Sequence, residues 1–122
     1  MVSAVRGAVS IEENTPGEIT QAVEELISKI TEQNGLAEEQ LIHIIFSITE
    51  DITALNPATA LRKFGFSTVP LFCVQEAKCD GMLERVIRVL ITFNNEQKIS
   101  PQPVYLGRTR NLRPDLHEGL EN

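Results

Sequence analysis

The 122-residue sequence is poor in cysteine and has no long apolar run, and each absence excludes a class of protein. Its two cysteines, Cys73 and Cys79, have no cysteine or histidine companions at metal-ligand spacing, so we expect neither a disulfide scaffold nor a zinc site. The apolar runs are far shorter than the ~20 residues that cross a membrane. The first seven residues lack the basic and apolar blocks of a signal peptide. We therefore expect a cytoplasmic protein with free thiols and no membrane partner.

Basic residues are too few for a general nucleic-acid binder. The sequence holds 17 acidic and 11 basic residues, a net charge of −6, whereas nucleic-acid binders present positive surfaces. Residues 1–61 contain ten acidic and two basic residues, and residues 62–122 contain seven and nine. Six of the seven arginines lie at or after Arg62. Because arginine is suited to gripping carboxylates with two hydrogen bonds, this bias indicates either a carboxylate ligand or ordinary surface charge.

Several kinds of catalytic machinery are also missing. The sequence has no glycine-rich phosphate loop, no nucleophile with an adjacent base, no metal-ligand cluster and no pair of carboxylates at a spacing typical of acid–base catalysis. What remains beside predicted elements is several arginines, one glutamate and one tyrosine. Such a set binds a small dianion or stabilises charge that moves within it. It indicates a reaction without proton transfer or covalent catalysis, or ligand binding alone.

Residues 86–93 carry the strongest strand signal, being mostly β-branched and apolar without glycine or proline. Alternation places four apolar residues, from Ile87 to Phe93, on one face. The opposite face carries Arg88 between apolar neighbours on what is predicted to be a central strand. Since arginine does not lose its charge, it requires an anionic or strongly polar partner there.

Apolar periodicity predicts two helices and five strands. The helices are residues 15–34, where Thr15 and Glu18 form a capping box, and residues 57–64. The strands are residues 2–9, 41–48, 68–75, 86–93 and 104–106. Gly7 inside the first strand permits a close approach of another backbone or a bulge. Residues 81–84 could form a helical turn.

The order of these elements predicts an α+β fold, a mixed sheet of about five strands with helices on one face. The chain is long enough for one ordinary core, so we expect a single domain over residues 1–122. The other face of the sheet still carries apolar residues on several strands. We expect copies of the chain to cover that face in an oligomer.

Six blocks of the sequence, in order and spanning nearly the whole chain, resemble the monofunctional α/β class of chorismate mutase. The blocks are residues 4–8, 56–62, 69–76, 85–89, 104–106 and 112–116. The resemblance implies a homotrimer whose three sheets build a pseudo-barrel, with active sites at the subunit interfaces. It also implies an isomerase without cofactor or metal. Its reaction would be the Claisen rearrangement of chorismate to prephenate, in the shikimate pathway towards phenylalanine and tyrosine.

The resemblance assigns roles to the polar residues of these blocks. Arg88 matches the cation that stabilises negative charge on the ether oxygen as the C–O bond breaks, so the substrate itself would be the partner that Arg88 requires. Glu76 and Cys73 match residues at the ring hydroxyl. Arg6 and Tyr105 match a pair that holds the carboxylate of the enolpyruvyl side chain.

Other residues match the rim of the cleft. Arg62 matches a cation from the neighbouring subunit, and Arg113 lies in a C-terminal tail, residues 108–122, that closes over the cleft. Thr59 and Phe72 match substrate-binding positions where the family often has a lysine and a small polar residue. Asn56 stands where an aromatic residue is common. We expect activity to persist with an altered Michaelis constant.

A second hypothesis comes from another class of protein. A trimeric protein that binds or senses a small anion would use Arg6 and Arg62 on a similar sheet. It would not need a cation at a breaking ether bond. Loss of chorismate in the presence of the protein separates the two hypotheses.

Overall fold

The computed structural model describes residues 1–111 and shows a five-stranded sheet with two helices. In chain order the elements are β1 (Val2–Ser10), α1 (Pro16–Asn34), β2 (Leu41–Ile48), α2 (Pro57–Phe64), β3 (Leu71–Gln75), β4 (Val86–Asn94) and β5 (Val104–Leu106). Short 3₁₀ turns cover Glu38–Gln40 and Gly107–Asn111. No helix among the described residues is long and apolar enough to cross a membrane.

The sheet is mixed, with strand order β3-β2-β4-β1-β5. The central strand β4 runs antiparallel to both of its neighbours, β1 and β2, whereas the edge strands β3 and β5 run parallel to β2 and β1. This arrangement confirms the predicted α+β fold and the central position of the strand that carries Arg88.

Both helices pack on one face of the sheet and enclose the core with it. The core includes apolar residues of α1, α2 and alternate positions of the strands, among them Val5, Phe46, Ile87 and Phe93. Gly7 lies under α1, where an added Cβ would stand 2.6 Å from Ile30 Cδ1. The predicted close approach at Gly7 is therefore a contact between sheet and helix.

The opposite face of the sheet, called the helix-free face below, carries the alternate positions of the strands. Arg6 and Ala8 of β1, Ser47 of β2, and Arg88 and Leu90 of β4 belong to it, since strand partners in register share a face. Four large apolar side chains are exposed on it: Phe72 at 64%, Val2 at 60%, Val74 at 42% and Leu90 at 37%.

Helix α1 begins with Thr15, whose side chain accepts from the backbone N–H of Glu18. The second half of the predicted capping box does not form, because the Glu18 carboxylate accepts from the backbone N–H of Glu12 instead. Helix α1 ends at Gly35, whose φ of 63° suits a residue without a side chain.

The predicted start of β3 was wrong. Strand β3 begins at Leu71 and not at residue 68, because Pro70 has no N–H to donate to a ladder and Thr68 bonds to the Glu38 carboxylate instead. The helical turn that the sequence left open as an alternative for residues 81–84 does not form.

Candidate active site

The guanidinium of Arg88 is paired with a carboxylate of its own chain. Arg88 Nε lies 3.0 Å from Glu76 Oε1, and the two side chains are 35% and 28% exposed. The backbone N–H of Glu76 donates to the carbonyl of Ile48 at 2.7 Å, which fixes the residue at the end of β3. The partner that Arg88 requires in the free protein is therefore Glu76, whereas the resemblance assigned that part to the substrate alone.

Strand register places one residue of each strand in a line across the helix-free face. From one sheet edge to the other the line consists of Val74 (β3), Ser47 (β2), Arg88 (β4), Ala8 (β1) and Tyr105 (β5). Neighbouring strands are about 4.8 Å apart. Ala8 lies between Arg88 and Tyr105 in this line and is only 1% exposed, because Tyr105 and Val86 pack against it.

Arg6 lies on the same face as this line, one step along β1 from Ala8. It stands opposite Leu90 and is exposed, so its guanidinium is diagonal to Arg88 across the β1–β4 pair. Diagonal neighbours in an antiparallel pair lie within about 7–8 Å, which long side chains bridge. Arg6 and Arg88 are therefore placed to meet two anionic groups of one ligand.

Tyr105 is only 5% exposed, at the far end of the line. It packs in a small cluster with Ala8 and Val86, and Leu83 packs against this cluster. Such packing fixes the ring direction through contacts that do not depend on a ligand.

Cys73 lies on the other face of the sheet. It pairs in register with Phe46 of the core, and its side chain packs against that core. Burial raises the pKa of the Cys73 thiol, so the group is a neutral thiol at neutral pH. Within one chain Cys73 and Arg88 do not face the same ligand, although the resemblance places both at the substrate.

Helix α2 carries three of the family-matched residues on the helix side of the sheet. Arg62 is exposed in the last turn, and Thr59 is half-buried. Asn56 caps the helix by accepting from the backbone N–H of Ala58 at 2.8 Å, which gives the asparagine a structural reason where the family often has an aromatic residue. None of the three shares a face with Arg88 in its own chain.

Phe72 differs from those three because it lies on the helix-free face, at the β3 edge. It pairs in register with Ile45, and 64% of the side chain is exposed. Phe72 is thus exposed at the β3 end of the line of candidate residues.

A turn at Arg85 sets the start of β4. Its φ is 51°, and its backbone N–H lies 3.1 Å from both carboxylate oxygens of Asp51. Thr49 Oγ1 donates to Asp51 at 2.6 Å and accepts from the backbone N–H of Val86 at 3.0 Å. Because β4 begins at this turn, these bonds support the register that places Arg88 in the line.

The 3₁₀ turn Gly107–Asn111 is tied to β1, where the sequence predicted the beginning of a tail. Thr109 is fully buried and donates to the carbonyl of Ala8 at 3.1 Å. The Arg108 guanidinium donates to two backbone carbonyls, at the end of β1 and before β4, at 3.1 and 2.9 Å. The chain is thus anchored beside the line up to Thr109, and Arg113 lies outside the described residues.

A cavity of about 300 Å³ opens beside Glu76, lined also by residues 49–51 and the loop 78–84. Its lining contains five carboxylates and one cation, Lys78, which is bound to Glu50 at 2.8 Å. That hydrogen bond raises the pKa of Lys78. Because a dianion is repelled by such a lining, we place an anionic ligand on the arginine side of Glu76 and not in this cavity.

The arrangement suits the separation of charge within one ligand. A fixed cation and a fixed anion stand side by side, and a second cation and a phenol lie on the same face. Within residues 1–111, no group of three or more His, Cys, Asp or Glu side chains is placed to hold a metal ion.

The chain is similar to chorismate mutases in sequence and in fold. The sequence model of the family described as chorismate mutase type I matches residues 2–116. Chorismate mutase AroH of Thermus thermophilus is 45% identical over 121 residues, 95% of this chain and 97% of the relative. Chorismate mutase AroH of Bacillus subtilis is 36% identical over 118 residues, 95% of this chain and 93% of the relative. A solved chorismate mutase from Clostridium thermocellum has a TM-score of 0.83 at 36% identity, covering 88% of this chain and 97% of that one.

Proposed function

The chain belongs to the type I chorismate mutase family, and on that premise we propose that its active site is built on the helix-free face around Arg88 and Glu76. The protein is an isomerase, as the six sequence blocks predicted, and its substrate is chorismate. The Claisen rearrangement to prephenate is unimolecular. The protein therefore has to restrict the substrate to one folded conformer and stabilise the charge that separates within it.

Arg88 acts at the ether oxygen in this proposal. Its Nε lies 3.0 Å from Glu76 Oε1, and 35% of the side chain is exposed. Negative charge grows on the ether oxygen as the C–O bond breaks, and a guanidinium already in place stabilises that charge more than it stabilises the neutral ether. By analogy with oxyanion-hole donors, its removal costs about 3–4 kcal/mol of transition-state stabilisation.

Glu76 acts at the ring hydroxyl. Its carboxylate is held beside Arg88, and 28% of the side chain is exposed. A carboxylate that accepts the hydroxyl proton in a hydrogen bond favours the cationic side of the polarised transition state. Arg88 thus stabilises the negative part of the transition state, and Glu76 stabilises the positive part.

Arg6 and Tyr105 hold the carboxylate of the enolpyruvyl side chain. They lie on adjacent strands β1 and β5, on the same face as Arg88. A cation and a phenol that converge on one carboxylate fix its direction as well as its position. This grip holds the reactive conformer and so lowers the entropic part of the barrier.

The remaining matched residues support a site shared between two chains of a homotrimer. Arg62, Thr59 and Cys73 lie on the helix side, so they reach a substrate held by Arg88 only from a neighbouring copy. The exposed apolar side chains of the helix-free face, Phe72 among them, are covered when three sheets build a pseudo-barrel. The proposed cleft lies where the β3 edge of one copy meets the line of another.

The C-terminal tail, residues 108–122, and the cellular location are also part of the proposal. Arg113, outside the described residues, remains predicted to close over the cleft. The two free cysteines support a location in the reducing cytoplasm, where the reaction serves the synthesis of phenylalanine and tyrosine.

The pairing of Arg88 with Glu76 is the observation that carries the proposal. A carboxylate 3.0 Å from Arg88 weakens a site for a static anion, whereas it fits a transition state with charges of both signs. The pair therefore favours the enzyme over an anion-binding or sensing protein.

The assay follows the loss of chorismate absorbance. With wild-type protein we expect turnover, and with Arg88→Ala a fall in kcat of roughly 100-fold or more. Lys29→Ala, which removes an exposed cation on α1, serves as the control and should retain wild-type kcat. Turnover by Arg88→Ala within about tenfold of wild type contradicts the proposed role.

A further inference from the structure

The hydroxyl of Ser47 lies at the centre of the proposed site. Ser47 stands directly opposite Arg88 in the β2–β4 register, and its Oγ donates to Glu76 Oε1 at 2.8 Å. The same oxygen lies 3.0 Å from Arg88 Nε. The Ser47 hydroxyl and the Arg88 guanidinium therefore converge on one oxygen of the Glu76 carboxylate.

Packing alone does not fix this carboxylate. The side chains of Glu76 and Arg88 are 28% and 35% exposed, so each retains room to turn. The backbone of Glu76 is bound to the carbonyl of Ile48, next to Ser47 in β2. One strand thus holds Glu76 by its backbone and by its carboxylate, and Ser47 supplies the second of these contacts.

Without the Ser47 hydroxyl, Arg88 and Glu76 would adopt a different contact geometry. An arginine and a carboxylate left to themselves prefer a two-pronged pair with two parallel N–H···O bonds. Such a pair would occupy both carboxylate oxygens of Glu76. It would also use an Nη group of Arg88 that the proposed function reserves for the ether oxygen.

We infer that Ser47 is a positioning residue, which holds Glu76 Oε1 in a single contact with Arg88 Nε and so keeps the second carboxylate oxygen and the Nη groups available to the substrate. The inference rests on the proposed function and deepens it. Ser47 itself does not touch the reacting atoms in this scheme. Its effect is expected in kcat, because the two groups it positions act mainly in the transition state.

The first experiment compares Ser47→Ala with Ser47→Thr by steady-state kinetics on chorismate. We expect Ser47→Ala to lower kcat about tenfold, the effect of losing one hydrogen bond to a charged group, with KM changed less than about threefold. Threonine keeps the hydroxyl and suits a strand, so Ser47→Thr should restore kcat to within about threefold of wild type. The matched control is Ser3→Ala, whose hydroxyl accepts from Asn95 at the start of β1, and it should leave kcat unchanged.

The second experiment tests whether Ser47 acts through Glu76. In a double-mutant cycle, Ser47→Ala should lower kcat less than about twofold when Glu76 is already glutamine, since the carboxylate to be positioned is gone. Equal losses in both backgrounds would assign Ser47 a general structural role and overturn the inference. Unchanged kcat in Ser47→Ala would overturn it as well.

The inference and the proposed function fail in different ways. If Arg88→Ala and Glu76→Gln keep wild-type kcat, the proposed site is wrong, and the inference about Ser47 is wrong as well. If those two variants lose activity while Ser47→Ala does not, only the role of Ser47 is wrong.

Discussion

At the scale of single residues, the Arg88–Glu76 pair contributes little to stability, which fits the catalytic role proposed for it. Both side chains are about one-third exposed, and ion pairs in such positions contribute about 0–1 kcal/mol to folding. The same pair can lower the transition-state free energy by several kcal/mol when opposite charges develop at two ends of one small molecule. Its loss should therefore affect turnover far more than folding.

Glu76→Gln tests whether the pair affects turnover more than folding. The amide keeps the size of the carboxylate and removes its charge, so we expect kcat to fall by roughly 10–100-fold through lost stabilisation of the cationic end. The melting temperature should change by only a few degrees, because the pair is worth about 1 kcal/mol at most. Glu96→Gln, at an exposed loop position, is the control. A large drop in melting temperature with kcat unchanged would show that the pair is structural.

At the scale of elements, the position of Arg6 depends on how closely β1 packs under α1. At Gly7, next to Arg6, there is no room for a side chain. An added Cβ would lie 2.6 Å from Ile30 Cδ1 and 3.1 Å from the carbonyl oxygen of Val104. The backbone contact cannot yield by a rotamer change, unlike the contact with the end of a flexible side chain. The strand that presents Arg6 is thus fixed between a helix and a neighbouring strand.

Gly7→Ala should destabilise the protein by about 1–3 kcal/mol, the usual effect of overpacking a core. Urea unfolding gives the free energy directly. The matched control is Gly17→Ala in the first turn of α1, where an added Cβ meets nothing within 4 Å. That change should be neutral or stabilising by up to about 1 kcal/mol, because alanine favours helix. Equal stability of the two variants would contradict the packing argument.

At the scale of the whole molecule, the helix-free face exposes apolar side chains that the proposed trimer would cover. Phe72, Val74 and Leu90 are all more than one-third exposed on it, and the proposed site lies among them. Arg88 and Arg62 lie on opposite sides of the chain, so one copy alone does not bring both to one substrate. In the proposal, activity therefore requires the oligomer, because each site uses residues of two chains.

Mixing two inactive variants tests this link. Arg88→Ala and Arg62→Ala should each lower activity alone, whereas subunit exchange between them should restore about a quarter of the sites, each with one intact arginine from each chain. The restored rate is followed by chorismate absorbance after unfolding and refolding the mixture. No gain over the separate variants, or light scattering at the 13.6 kDa of a single chain, would contradict the shared site.

Much of the fold was predictable because it follows from local patterns. The alternation in residues 86–93 and the helical stripe in residues 15–34 each report burial of one side, whatever the neighbouring element is. The start of β3 was mispredicted because Pro70 and a distant carboxylate, Glu38, decide it together. The site was predictable only in part: the family blocks named Arg88 and Glu76, yet nothing in them indicated Ser47.

The sequence by itself determined which elements form, that they make a mixed sheet with helices on one face, and to which family the chain belongs. Only the tertiary structure decided which side chains meet. Cys73 and Glu76 are three residues apart in the chain, yet Cys73 faces the core while Glu76 reaches Arg88. The physical reason is that a strand sends neighbouring residues to opposite faces, while contact across strands depends on register. That register is supported by distant bonds, such as those between Asp51 and the turn at Arg85.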